Sequence, residues 1–234
     1  MTTICSEITK FSMAKKNVEL SNHSQARQQQ LLAAALNVVA RRGLSGITVN
    51  DIADEAGCSY GVIAFHFKTK ERLLLEVLDF LASHYEDLWR ETIRNAPEDP
   101  ARRLQLLVDV DFDPRVAKTR YLAVWMAFWA EASRVPAYRK RCLELKTRSL
   151  ATIIDLVSEL AESRSMAIDA EAIARGLYAL TDGCWLFAHV SGETSPAHRE
   201  RSRRLCHTYL SAFFPKDFSV PVASPPGDEA GAVA

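Results

Sequence analysis

Residues 48–74, TVNDIADEAGCSYGVIAFHFKTKERLL, read as two short helices around a tight turn, followed by the opening of a third helix. Thr48 suits an N-cap, because its hydroxyl can accept a backbone N–H, and Asp51 three residues on completes a capping-box-like start. Ile52, Ala53 and Ala56 share one helical face, the spacing of a buried stripe. Gly57 stands where the turn needs a residue tolerant of positive φ, and Ser59 can cap the next helix. In that helix Val62, Ile63 and Phe67 fall inward, which leaves Tyr60, Gly61, Ala64, Phe65 and His66 on or near the outer face. A helix that is small at its N-terminal half and flanked by hydrogen-bonding groups suits the major groove of DNA; a plain helical hairpin has the same periodicity.

Upstream, a helix is predicted over 25–42, with Leu32, Ala35, Leu36 and Val39 at core spacing and Gly43 as its stop. Downstream, a helix opening near Thr69 carries Leu73, Val77, Phe80, Leu81, Tyr85, Leu88 and Trp89 on its apolar side and runs to Arg94, before Pro97–Pro100. Further helices are predicted at 100–112, 115–133, 136–164, 168–191 and 196–214, separated by Pro114, Pro136 and two polar breaks. No segment sustains period-two alternation, so the expected fold is all-α: a three-helix helix-turn-helix domain followed by a larger helical domain. The expected division is a flexible arm at 1–24, the DNA-binding domain at 25–72, an effector-binding and dimerisation domain at 73–218, and a disordered Pro-, Gly- and Ala-rich tail at 219–234. Lys10, Lys15 and Lys16 in the arm fit either phosphate tracking or plain solvation.

The chain has 234 residues, 48% of them hydrophobic, and no net charge, which argues against indiscriminate nucleic-acid binding. Residues 1–70 hold eight Lys and Arg against five Asp and Glu, a small positive surplus at the end that bears the helix-turn-helix pattern. No run of eighteen apolar residues and no signal-like start occurs, so a cytoplasmic protein without membrane contact is expected. Cys5, Cys58, Cys142, Cys184 and Cys206 include no C-x-x-C pair, and the six histidines show no metal-ligand spacing, so no metal or other cofactor is expected. G-x-S-x-G, phosphate-loop and dinucleotide fingerprints are missing as well, which disfavours an enzyme.

Outside the helix-turn-helix the densest pattern is aromatic. Tyr121, Trp125, Phe128 and Trp129 share one helical face with Glu131 just beyond, and Tyr178, Asp182 and Trp185 recur at i, i+4 and i+7 on a later helix. Aromatic faces edged by carboxylates can enclose a quaternary ammonium group, because ring faces attract the cation and the acid balances it. The same stripes can simply fill a helical core. Leu177, Leu180, Cys184, Leu186 and Ala188, then Leu205, Tyr209, Leu210 and Phe213, form two further stripes that fit either a dimer interface or the interior of one protomer.

Thr48, Ile52, Ala53, Ala56, Gly57, Ser59, Gly61, His66, Phe67, Lys70 and Leu73–Leu74 together resemble the signature of TetR-type transcriptional regulators. Asp111–Asp113, Trp125–Ala130, Leu180–Gly183, Trp185–Leu186 and Ser191–Gly192 resemble the choline-responsive, BetI-like branch of that family. Phe65 departs from a usually polar family position, and Phe187 stands where that branch has Arg. The resemblance implies a homodimeric, ligand-responsive repressor on near-palindromic double-stranded operator DNA, with a four-helix dimer interface and a small, cationic effector such as choline. Thr48, Tyr60 and Lys70 would then position on phosphates while Ser59, Gly61, Ala64, Phe65 and His66 approach base edges. Readings from other classes are a regulator with an unrelated apolar effector, a non-specific nucleoid-binding protein and a helical small-molecule enzyme.

Overall fold

The computed structural model describes residues 24–218. The expected arm, apart from Ser24, and the expected tail lie outside the described residues, as does Cys5. Nine helices and no strand occur among the described residues: α1 (24–42), α2 (Val49–Glu55), α3 (Tyr60–Phe67), α4 (Lys70–Arg94), α5 (Pro100–Asp111), α6 (Thr119–Glu131), α7 (Pro136–Ser163), α8 (Ala170–Ser191) and α9 (Pro196–Ser211).

Most boundaries are written in local chemistry. Thr69, Asp99, Asp169 and Ser195 each place a side-chain oxygen on a first-turn N–H of the helix that follows, which satisfies a donor that has no intrahelical partner. Proline opens α5, α7 and α9, where its fixed φ suits the first helical position and its missing N–H costs nothing. The sixth helix starts later than its periodicity predicts, because residues 113–117 form turns: Asp113 accepts from its own neighbour Arg115 and from the backbone of Val116 and Ala117.

A single apolar cluster runs from Leu31 in α1 to Phe218, past the end of α9. Leu32, Ala35, Leu36 and Val39 bury the inner side of α1. The predicted division at residue 72 falls in the first turn of α4, a continuous helix that packs on α3 at one end and on α5, α6 and α7 beyond. Helix α8 lies among α6, α7 and α9. Helices α8 and α9 approach closely at Gly176, where a Cβ would come within 2.0 Å of the Tyr209 hydroxyl that donates to the Ile173 carbonyl.

Candidate functional site

The α2–α3 unit assembles as its sequence predicts. Thr48 and Asp51 close a full capping box, with the Asp51 carboxylate accepting from the Thr48 N–H at 2.7 Å and the Thr48 hydroxyl accepting from the Asp51 N–H at 3.2 Å. The Thr48 N–H, the Thr48 hydroxyl, which donates to the same carboxylate at 2.8 Å, and then Arg42 hold the Asp51 carboxyl below its ordinary range. Gly57 adopts φ +60° in the turn. Ser59 occupies the cap position of α3, but its side chain makes no capping bond, so the hydroxyl is not used by its own helix. Arg42–Asp51 and Arg41–Glu55 pairs, each 2.5 Å, tie α1 to α2.

Ile52, Ala53, Ile63 and Phe67 are buried, whereas Ala56 and Val62 are only half-buried. Tyr60 and Phe65 are 58% and 71% exposed, and Thr48, Ser59, Gly61 and Lys70 are also exposed; Ala64 and His66 are intermediate. All eight predicted contact residues therefore lie on or beside α3 or at the first residues of α2 and α4. A Cβ added at Gly61 meets only the Ser59 hydroxyl oxygen, at 3.7 Å, so nothing inside the protomer demands glycine in this exposed helix. Glycine there costs about 1 kcal/mol of helix propensity relative to alanine. Lys68 joins α3 to α4 at φ 63°, ψ −50°, with the Thr69 N–H donating to the Phe67 carbonyl at 2.6 Å. This three-residue turn is strained for a residue with a side chain and fixes the angle between the exposed helix and α4.

A second constellation lies among α4, α5, α6, α7 and α8. Each helix offers a face of three- and four-residue spacing: Ala82, Tyr85 and Glu86 from α4, Trp125 and Trp129 from α6, Cys142, Leu145, Lys146 and Ser149 from α7, Tyr178, Asp182 and Trp185 from α8, with Asp111 at the end of α5. They enclose a chamber of about 40 Å³. Tyr85 donates to the Asp111 carboxyl at 2.5 Å, and Trp185 Nε1 donates to the Asp111 carbonyl at 2.9 Å. Burial pushes the Asp111 carboxyl up to about 7, against the opposing pull of Tyr85 and Trp89. Burial likewise raises Tyr85, Tyr178 and Asp182, and for Asp182 the Lys146 ammonium works in the other direction. Lys146 Nζ lies 2.6 Å from Asp182 Oδ2, 3.8 Å from the Trp129 ring centroid and 5.2 Å from that of Tyr178.

Of the predicted ligand set, the chamber gathers Trp125, Trp129, Tyr178, Asp182 and Trp185. Tyr121, Phe128 and Glu131 do not line it. Tyr121 sits one turn too early on α6 and faces His84 of α4; Phe128 turns into the core against Tyr138, fully buried; Glu131 lies past the chamber and meets the Ser45 hydroxyl at 3.2 Å in the loop before α2. Sequence reading missed Tyr85 and Lys146 as site residues, and had Asp111 only as part of a resemblance. The available signal was the i, i+4, i+7 run Cys142, Lys146, Ser149 on α7, which sets a lysine on an otherwise inward face.

Of the two C-terminal stripes, Leu177, Ala188 and Leu210 are buried inside the protomer. Leu186, Phe187 and Val190 on α8 and Leu205 on α9 stay exposed, Val190 by 77%. Among the described residues no helix is long and apolar enough to cross a membrane, and no cluster of His, Cys, Asp and Glu has the geometry to hold a metal ion.

Residues 31–77 match the family described as bacterial regulatory proteins, tetR family, and residues 100–215 match the C-terminal domain of BetI-type transcriptional repressors. The HTH-type transcriptional regulator BetI of Burkholderia cenocepacia (strain HI2424) is 31% identical over 194 residues, 82% of this chain and 95% of the relative. The BetI regulator of Paraburkholderia phymatum is 32% identical over 189 residues, 80% of this chain and 92% of its own. Among solved structures, a transcriptional regulator from Pseudomonas aeruginosa PAO1 superposes with a TM-score of 0.73 at 26% identity, covering 82% of this chain and 92% of the other. One from Saccharomonospora viridis, in complex with choline, gives 0.70 at 25% identity, covering 80% and 96%.

Proposed function

We propose that this chain, which belongs to the TetR family of bacterial regulators and carries a BetI-type C-terminal domain, is released from its operator when a quaternary ammonium effector such as choline enters the α4–α8 chamber. It is a DNA-binding transcriptional regulator and not an enzyme. The observation that carries the effector reading is that the chamber already holds an ammonium group between two aromatic rings and a carboxylate. The choline in the S. viridis structure supports the same class of ligand.

Residues 25–72 serve as the reading domain and 73–218 as the effector and dimer domain. Thr48, Tyr60 and Lys70 rest on phosphates; Ser59, Gly61, Ala64, Phe65 and His66 face base edges, where the missing side chain of Gly61 lets the groove come close and the Phe65 ring offers an apolar surface to a thymine methyl. Trp125, Trp129, Tyr178, Asp182 and Trp185, joined by Tyr85 and Asp111, form the effector site. Two protomers pair through the apolar face of α8 and α9, since homodimers are typical of the family and one reading helix touches too few bases to select a site. The dimer works in the cytoplasm, on chromosomal DNA. The effector acts by binding the DNA-free conformation better than the DNA-bound one.

Selection of bound fragments from random DNA should return a near-palindrome with half-sites about one helical turn apart. Choline at about millimolar concentration should quench tryptophan fluorescence and release that DNA. Gly61→Ala should leave the fold at least as stable as before yet weaken operator binding, and Lys70→Ala should lower the salt slope of binding by about one. Operator affinity unchanged in both variants would overturn the reading surface. Choline and its oxidised, carboxylate-bearing relative leaving both fluorescence and DNA binding untouched would overturn the effector class.

A further inference from the structure

The cation position of the chamber is held by the protein itself. Lys146 reaches in from α7, and its ammonium makes the contacts that a quaternary ammonium headgroup would make: the Trp129 face at 3.8 Å, the Tyr178 ring at 5.2 Å and the Asp182 carboxylate at 2.6 Å. We propose that Lys146 is a tethered stand-in for the effector's cation, and that an effector binds by displacing this ammonium from Trp129, Tyr178 and Asp182, so that Lys146 sets effector affinity. The inference rests on the reading of the chamber as a cation site.

Space and charge both require the displacement. The roughly 40 Å³ left beside Lys146 accommodates a few water molecules at most, not a trimethylammonium group. Were Lys146 to stay, two cations would share the single Asp182 carboxylate, whose side chain is 33% exposed, and would repel each other across the half-buried site. With Lys146 displaced, the effector inherits Asp182 and the number of buried charges is unchanged. The displaced ammonium goes to solvent, since the Lys146 side chain is already 31% exposed and Glu86 of α4, which lines both the chamber and the groove that opens between α4 and α7, is held by two arginines. That groove also carries Arg90 and Arg148, which already pair with Glu86 at 3.1 and 3.0 Å. The apparent affinity for an effector is then the intrinsic affinity of the vacated chamber reduced by the fraction of protein in which Lys146 has left it.

The test is calorimetric titration of the full chain with tetramethylammonium chloride at about pH 8. Lys146→Gln and Lys146→Ala should each bind the ion about ten-fold more tightly than the parent protein. In the parent protein the Lys146 ε-methylene protons, shifted upfield by the Trp129 ring, should return to the ordinary lysine position as the ion is added; this measurement needs no variant and stands if the substitutions impair folding. Binding by the parent protein equal to or tighter than that of the variants, or a ring-current shift that persists when the ion is bound, would overturn displacement while leaving the chamber a cation site. No binding by any of the three proteins would overturn both the displacement and the effector class.

Discussion

The reading unit and the aromatic chamber are built in opposite ways. The first is a contiguous stretch whose turn, caps and buried stripe are fixed by neighbours in sequence, and whose working side chains face outward. The second draws on five helices between residues 82 and 185, and its working groups face inward, where every charge must find a partner. The difference shows in their titration. In the reading unit Asp51 and Glu55 are held below the ordinary carboxylate range by hydrogen bonds to the Thr48 backbone and to Arg41 respectively, whereas in the chamber burial raises both Asp111 and Asp182. An exposed surface can take charge from solvent at little cost; an enclosed one is poised to exchange one cation for another.

The sharpest way to break this division is to damage one side alone. Ile63 lies on the inner face of α3 and is 1% exposed, so Ile63→Ala should cost about 2–5 kcal/mol, the range for removing a buried branched side chain. Operator binding should collapse with it. All four tryptophans lie at residue 89 or later, so tryptophan fluorescence and its response to tetramethylammonium should survive. Loss of both together in the variant would show that the two regions unfold as one cooperative unit.

The division also explains what the sequence discloses. Helix ends at Thr48, Gly57, Thr69 and Asp99 depend on a few adjacent residues, and they fall within a residue or two of their predicted places. The chamber was half legible: Trp125 with Trp129, and Tyr178 with Asp182 and Trp185, announce themselves as faces of single helices. Which face meets which is a tertiary fact. Nothing local says that Phe128, beside Trp129 in the chain, turns into the core, or that Glu131 reaches back to Ser45. Lys146 in ELKTRS reads as a solvated lysine until α6 and α8 close over it, and Tyr85 reads as one more core aromatic until Asp111 arrives from α5.

The opposed titrations give a smaller and graded test. Asp111 titrates near 7 in the folded chain against an ordinary 3.8, so between those values the folded protein holds a proton that the unfolded chain has released. Its contribution to stability is complete below about pH 4 and is lost as pH rises through about 7, at a slope of up to about 1.4 kcal/mol per pH unit. Burial sets the midpoint, Tyr85 and Trp89 of α4 pull it down, and Asp182 of α8 pushes it up. Asp111→Asn keeps an acceptor for the Tyr85 hydroxyl and removes the proton exchange, so its melting temperature should vary less with pH over that window than the parent's. Asp51 runs the other way: its lowered value contributes stability above the unfolded carboxylate range that is lost as pH falls through the folded one. Thermal melts in which the parent and Asp111→Asn keep the same slope between about pH 4 and 7 would place the proton elsewhere.

The weakest predicted effect concerns a surface contact between the two regions. Glu131 ends the helix that carries Trp125 and Trp129, and its carboxylate accepts from the Ser45 hydroxyl in the loop before α2, while Arg134 lies 3.5 Å from the same carboxylate oxygen. The bond lies at the surface, so Ser45→Ala should change stability by less than about 0.5 kcal/mol. Its effect on regulation can be larger in proportion, because a bond made in only one of two conformations enters the coupling between effector and DNA at its full net worth, about 0.5–1.5 kcal/mol, or a two- to ten-fold change in the factor by which the effector weakens operator binding. Ser45→Ala and Glu131→Ala should change that factor equally, and the double variant should add nothing further, since each removes the same bond. A release factor that stays at the parent value in all three variants would mean that the signal leaves the chamber along α4, through Tyr85 and the strained turn at Lys68, and that the Glu131–Ser45 bond only decorates the boundary.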